Sequence, residues 1–157
     1  MKPGQMFSAA LKLAEQGHAG QFDKGGTPYI FHPLTVLKNL KTSDEELQCI
    51  ALLHDYVEDV PGATLEELSS VGMSKRVIDA VDALTKRKGQ SYKEYQSAVL
   101  ANKDAAIVKY ADLQTNADLS RLAHCNITAA DIARTKKYRS FMELIENTAY
   151  NKLMFNT

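Results

Sequence analysis

The sequence predicts an all-helical fold, a compact helical bundle, on three observations. Apolar residues recur three and four places apart through most of the chain, the spacing that lays one face of a helix against a core. Hydroxyl residues followed three places later by glutamate recur ahead of these stretches: Ser43 with Glu46, Thr64 with Glu67 and Ser91 with Glu94. Such a pair satisfies the first free backbone N–H groups of a helix. Third, no segment alternates apolar and polar residues over strand length, and β-branched residues do not gather between turn signals.

The elements follow in order. Met6, Ala10, Leu13 and Ala14 share a face over Gln5 to Gly17, with Gly17 closing the pattern as a helix-ending glycine. His18 follows that end, and the glycine-rich segment from Gly20 to Pro28 reads as a surface loop. Tyr29 to Phe31 is extended or brief. His32 precedes Pro33, which biases it away from helical angles and suits Pro33 to the first turn of a helix over Pro33 to Lys41. The capping words predict helices over Ser43 to Asp59, Thr64 to Val71 and Ser91 to Asn102, with Pro61-Gly62 parting the first two. A helix over Ser74 to Lys86 aligns Val77, Ala80, Val81 and Leu84. Another, Asp104 to Leu122, aligns Ala105, Val108, Asp112, Asn116 and Leu119, so a core stripe turns polar midway. The last starts near Thr128 and carries Tyr138, Met142, Ile145 and Ala149 on one side.

With 157 residues the chain reads as one domain spanning 1–157, long enough for a real core. Its 19 Lys plus Arg balance 19 Asp plus Glu, so no strong field argues for nucleic acid or an acidic membrane surface. The Lys86-Arg87-Lys88 run reads as an exposed helix end. No apolar run approaches membrane length and no signal-peptide core forms, which predicts a soluble, cytoplasmic protein. Cys49 and Cys125, without CxxC spacing, fit free thiols in a reducing compartment.

The chemistry gathers in ALLHDYVED, Ala51 to Asp59, where His54, Asp55, Glu58 and Asp59 crowd two turns of the expected helix. Leu47, Ile50 and Ala51 lead onto the side that carries His54 and Glu58, so the stripe facing the core becomes ionisable. Carboxylates turned inward carry a large desolvation cost, and the remedies are a paired cation or a bound metal. A solvated face is the alternative. Elsewhere the chain offers His32 at a rigid junction and Asp112 on another inward face. Two imidazoles and two carboxylates suit Mn, Fe or Zn better than Ca or Mg, and the lack of thiolate argues against a purely structural zinc.

These residues resemble a family. His32, His54-Asp55 and Asp112 match the H…HD…D pattern of HD-domain phosphohydrolases. The words GTPYIFHP (Gly26 to Pro33), ALLHDYVED, LTK (Leu84 to Lys86) and VKYADLQTN (Val108 to Asn116) are similar to the hydrolase domain of RelA/SpoT-type alarmone hydrolases, including the stand-alone small forms. The likeness runs from the first helix to Leu122. It implies an HD-domain bundle in which His32, His54, Asp55 and Asp112 bind a divalent ion, Mn²⁺ in this family. It implies that Glu58 and Asp59 position and deprotonate the attacking water, and that Lys24 and Asn116 contact a small-molecule nucleotide substrate. Tyr138 is aligned loosely with a tyrosine near the nucleotide in the small forms. The implied reaction removes pyrophosphate from the 3' position of an alarmone such as ppGpp.

The chain also departs from the pattern. Asp23 stands where these enzymes usually have an arginine stacking on guanine, and a carboxylate cannot provide that stack. The family's Asp-Arg-Leu word is Asp112-Leu113-Gln114 here, which removes a positive charge. Hydrolysis of a different nucleotide, and a module that senses a nucleotide without cleaving it, therefore stay open. So do the roles of Lys109 and Arg121, which could approach phosphates or pair with nearby acids. Asn116 could instead satisfy a neighbouring backbone, and His18 is read as bonding its own helix end rather than as a ligand.

Overall fold

The computed structural model describes residues 1–122 and 125–148, and among them nine α-helices and one short 3-10 helix account for the regular structure. The helices are α1 Gln5–Gly17, α2 Phe31–Leu40, α3 Glu45–Leu53, α4 Tyr56–Asp59, α5 Leu65–Ser70, α6 Lys75–Leu84, α7 Tyr92–Leu100, α8 Lys103–Ala117 and α9 Ala129–Glu146, with the 3-10 turn Leu119–Leu122 between the last two. One isolated antiparallel bridge, Phe22 with Pro28, pinches the glycine-rich loop. The all-helical expectation holds for the described residues. Ala149, expected on the α9 stripe, lies outside them.

α3 is the central element. Leu47, Cys49, Ile50, Ala51, Leu52 and Leu53 are all buried, so nearly every face of the helix meets protein. α1, α2, α6 and α8 surround it, and α8 in turn carries α7 and α9 on its other sides. A helix apolar all round belongs in the middle of a bundle, whereas α9 buries only a stripe ending in Phe141 and Ile145. Phe141 stands edge-on to both Tyr92 and Tyr95, which joins α9 to α7. Cys49 and Cys125 are free thiols, and burial pushes the Cys49 thiol up to about 12.

Several boundaries differ from the sequence reading, each for a physical reason. The expected helix Ser43 to Asp59 breaks after Leu53, and His54 and Asp55 form a turn into the single-turn α4. Its cap is Asp44 rather than Ser43: the Asp44 carboxylate accepts from the N–H groups of Glu46 (3.0 Å) and Leu47 (3.3 Å). That leaves the Glu46 side chain to meet Ser74 and Arg76. α2 begins at Phe31, so His32 lies inside its first turn and Pro33 comes two places later than expected. The proline is tolerated because first-turn N–H groups have no intrahelical acceptor, and Phe31 and His32 are drawn into the turn by bonds to the carbonyls of Pro28 (3.1 Å) and Tyr29 (2.9 Å). The expected helix to Leu122 stops at Ala117 and resumes as the 3-10 turn. Gly17 is the last helical residue, and close packing explains it: a Cβ there would meet Tyr56 Cε2 at 2.6 Å. Thr64 and Ser91 cap α5 and α7 as expected, while α9 has a full reciprocal box, Thr128 with Asp131, that the glutamate pattern did not reveal.

Candidate active site

Three pieces of chain converge beside the middle of the bundle. The first turn of α2 presents His32, the turn after α3 presents His54 and Asp55, and α8 presents Asp112. One ligand atom from each lies within 4.8 Å of all the others. His32 Nε2 is 2.8 Å from Asp112 Oδ1 and 3.7 Å from Asp55 Oδ2. His54 Nε2 is 3.1 Å from Asp55 Oδ2, 3.4 Å from Asp112 Oδ1 and 3.3 Å from His32 Nε2. Bonds of about 2.1 Å from one cation to N and O donors set neighbouring donors roughly 3.0–3.4 Å apart, which this cluster approaches.

His54 and Asp55 keep right-handed helical angles (φ −59°, ψ −29° and φ −105°, ψ 0°) where α3 passes into α4, and both side chains reach the cluster. His54 is buried and its Nδ1 lies 2.6 Å from the Ala51 carbonyl, a contact that assigns the proton to Nδ1 and leaves Nε2 as a lone-pair donor in the neutral ring. Asp112 is similarly braced: Lys109 Nζ donates to Oδ2 at 2.9 Å, and Asn116 Nδ2 donates to Oδ1 at 3.1 Å. Tyr29 donates its hydroxyl to Asp55.

The electrostatics suit a cation. Burial opposes ionisation of Asp55 and Asp112, yet His54 lowers the first and Lys109 with His54 lowers the second well below the usual carboxylate range. Burial likewise opposes charge on His54, and the two carboxylates outweigh it and raise the imidazole's pKa well above its ordinary value, so they favour positive charge at Nε2, and a divalent ion held there would take the place of that proton. Two ionised carboxylates and two rings with their Nε2 atoms turned inward are the donor set a divalent ion takes.

Glu58 and Asp59 stand at the exposed edge of this cluster, and Asp55, Glu58 and Asp59 can also bring one carboxylate oxygen each within 4.8 Å. Desolvation, then the negative charges of Asp55 and Glu58, raise Asp59 to about 6. Desolvation also raises Glu58, although its Oε1 accepts from the Lys86 backbone N–H at 2.7 Å. A carboxylate with a pKa near neutrality beside a cation site can accept a proton from water.

Of the residues expected to meet substrate, Asn116 is on the cluster itself through Asp112. Lys24 is engaged elsewhere, in an ion pair with Asp131 at 2.6 Å. Tyr138 sits half-buried on α9 against the core. Asp23 folds back on its own loop, accepting from the Thr27 N–H at 2.9 Å. Lys109, left open between phosphate and acid, pairs with Asp112. His18 is at the end of α1, as read, with its N–H on the Ala14 carbonyl, and its ring Nδ1 lies 2.8 Å from Gln21 Oε1.

Three participants escaped the sequence reading. Tyr29 lies in the GTPYIFHP word without a feature that marks it apart, and Gln21, whose side chain donates to the Asp59 carbonyl at 3.1 Å, gives no local signal. Asp131 could have been found from Thr128 three places earlier, a capping box with aspartate in the place of glutamate.

A cleft of about 320 Å³ lies between α2 and α8 and reaches His32, with Asp23, Phe31, Thr35, Gln114 and Arg121 on its walls. It gives the cluster an approach from solvent.

Comparison with known proteins agrees with this geometry. The HD domain model matches residues 10–122. A probable GTP pyrophosphokinase of Mycobacterium leprae is 34% identical over 114 residues, 66% of this chain and 14% of that protein. The bifunctional (p)ppGpp synthase/hydrolase SpoT of Escherichia coli is 38% identical over 93 residues, 56% of this chain and 13% of that protein. The chain thus spans about a seventh of the length of such relatives. A solved structure described as a metazoan ortholog of SpoT that hydrolyzes ppGpp superposes with a TM-score of 0.75 at 24% identity, covering 96% of this chain and 91% of its own. That likeness concerns the fold. With the matched model covering most of the helices and all four cluster residues, the chain belongs to the HD-domain family.

Proposed function

We propose that this protein is a divalent-metal-dependent nucleotide phosphohydrolase that removes pyrophosphate from the 3' position of ppGpp or a close relative, its residues 1–157 acting as one HD-type unit. The observation that carries the reading is the meeting of His32, His54, Asp55 and Asp112 within 4.8 Å. The names of the HD-domain relatives supply the substrate class. In this reading those four residues hold the ion, Mn²⁺. A bound divalent cation supplies Lewis acidity, lowering the pKa of water and polarising the phosphoryl oxygen. The chain's own residues do the rest. Asp59, raised toward neutrality, takes a proton from the attacking water, and Glu58, fixed through Oε1 by the Lys86 N–H, orients that water with its second oxygen. Asn116, Lys24 and Tyr138 contact the nucleotide.

Purified protein with Mn²⁺ is expected to release pyrophosphate from ppGpp, and Asp55→Ala or His54→Ala to abolish it. Full turnover by either variant rejects the assigned centre. Asp59→Asn is expected to keep the metal and slow turnover by roughly 10²–10⁴-fold, as loss of a general base does. Loss of metal from that variant would show its role to be misassigned. A second reading, a different nucleotide at the same centre, is favoured by Asp23, which offers the base no cation and bonds its own loop instead. A panel of nucleotides assayed for phosphate and pyrophosphate separates the two.

A further inference from the structure

The stretch Leu84 to Lys86 leaves the end of α6 and reaches Glu58 through its backbone. Thr85 is buried, with its hydroxyl on the Val81 carbonyl at 2.7 Å. The peptide unit that follows, between Thr85 and Lys86, is gripped at both ends. Its N–H, on Lys86, donates to Glu58 Oε1 at 2.7 Å. Its carbonyl, on Thr85, accepts from Arg87 Nη1 at 2.6 Å. The same guanidinium donates through Nη2 to the carboxylate of Asp82, in the last turn of α6. Gln90 Oε1 accepts from the Arg87 N–H at 3.0 Å and closes the loop.

A trans peptide is planar, with N–H and C=O on opposite sides, so whatever fixes the carbonyl also fixes the direction of the amide. Turned over, this unit would set a carbonyl oxygen against the Glu58 carboxylate. A charged donor on the carbonyl holds the plane and polarises the unit, which strengthens its N–H as a donor. Stability alone does not account for the arrangement. The Arg87 and Asp82 side chains are 48% and 52% exposed, and an ion pair so open to water adds little to the fold. Its consequence lies in what Arg87 touches: the carbonyl of the one peptide whose amide holds Glu58.

We propose that Arg87, anchored by Asp82, is a positioning residue that keeps the peptide between Thr85 and Lys86 turned with its N–H toward Glu58, and so fixes the carboxylate that orients the attacking water. The proposal rests on the nucleotide-hydrolase reading. Arg87 acts through the main chain, and the Lys86-Arg87-Lys88 run thereby contains one residue with a task distinct from that of its neighbours.

Arg87→Met keeps the aliphatic stem and removes both donor and charge. In the Mn²⁺-loaded full chain it is expected to lower kcat for ppGpp about tenfold or more, the scale of a hydrogen bond to a charged group, with KM and Mn²⁺ affinity changed less than about twofold. Arg87→Lys retains a charged donor for the carbonyl and should recover part of the loss. Lys88→Met removes the same charge from the same loop and should leave kcat unchanged. Added to Glu58→Ala, Arg87→Met should cost little more, because both act through one bond. Unchanged kcat in Arg87→Met, an equal loss in Lys88→Met, or fully additive losses with Glu58→Ala overturns the proposal and leaves the hydrolase reading intact. Hydrogen exchange of the Lys86 amide, followed by NMR, is a readout independent of turnover. Its protection is expected to fall about tenfold or more in Arg87→Met. Equal exchange in wild type and variant overturns the proposal, whereas a wild type that turns over no nucleotide overturns the hydrolase reading and, with it, the catalytic part of the role. Should Arg87→Met fail to fold, Asp82→Asn frees one end of the guanidinium and decides by the same exchange: unchanged protection overturns the proposal, weakened protection supports it.

Discussion

Tyr29 shows how much of the centre's geometry depends on groups outside the four-residue cluster. Its ring lies between His18 and His32, with centroids 5.0 Å and 5.4 Å away, and its hydroxyl has Asp55 as acceptor. Burial, then the Asp55 charge, keeps the phenol protonated far above its ordinary pKa, so the donor role is permanent. Tyr29→Phe removes that hydrogen bond while keeping the ring packing. Partners of this kind orient a ligand, and their loss is expected to weaken Mn²⁺ affinity by about 10–100-fold with the far-UV circular dichroism unchanged. Unchanged affinity by calorimetry would mean that Asp55 is aimed by its turn alone. His54 and Asp112 are held in the same manner, by the Ala51 carbonyl and by Lys109 with Asn116.

Among the helices, the ends carry much of the organisation. Glu45, in the first turn of α3, accepts from the N–H groups of Gly4 (3.0 Å) and Phe7 (3.0 Å), and so caps α1 from another element. Arg76 of α6 joins Asp44 (2.9 Å) and Glu46 (2.7 Å) of the α3 start to Asp104 (2.8 Å) of the α8 start. These pairs are partly exposed, so Arg76→Ala is expected to cost only about 1–2 kcal/mol. For a chain of this size that lowers Tm by roughly 2–8 °C. The pH dependence has a definite sign. Backbone N–H donors of α1 lower Glu45. Ser74 and Arg76 lower Glu46; for Asp44 desolvation opposes ionisation most, and Arg76 with the Leu47 and Glu46 N–H groups outweighs it and lowers the carboxyl. A carboxylate depressed on folding stabilises the native state above its unfolded pKa, here the ordinary values of 4.5 and 3.8, and that contribution disappears as pH falls through the folded value. Stability by denaturant titration is therefore expected to decline below about pH 4.5, and Glu46→Gln to flatten the decline. A wild-type profile that stays level to pH 3 would contradict this.

At the scale of the whole molecule, the cluster ties α2, the α3–α4 turn and α8 to one point. A cation held there would bridge elements that are otherwise joined by packing, and would bind only the assembled form. Mn²⁺ at about a hundred times its dissociation constant is expected to add roughly 2.7 kcal/mol of stability, a rise of about 5–11 °C in Tm, reversed by chelator. Asp112→Ala should abolish the metal-dependent part of that rise. Among the described residues no helix is long and apolar enough to cross a membrane.

The local sequence determined the helices, because spacing, capping hydroxyls and the Pro61-Gly62 stop act within a few residues and need no partner. It also held the candidate ligands, since an inward stripe turning to His54, Asp55 or Asp112 is unusual wherever it lies. Resemblance in four words then marked His32, His54, Asp55 and Asp112 together. Only the tertiary structure decided that His32 meets Asp112 across 80 residues and that Lys24 meets Asp131 across 107. It also shows α3 ending at Leu53 and α2 starting at Phe31, the second because Phe31 and His32 bond the nearby carbonyls of Pro28 and Tyr29. What remote partners decide is which side chains meet, since no local rule links positions so far apart in the chain.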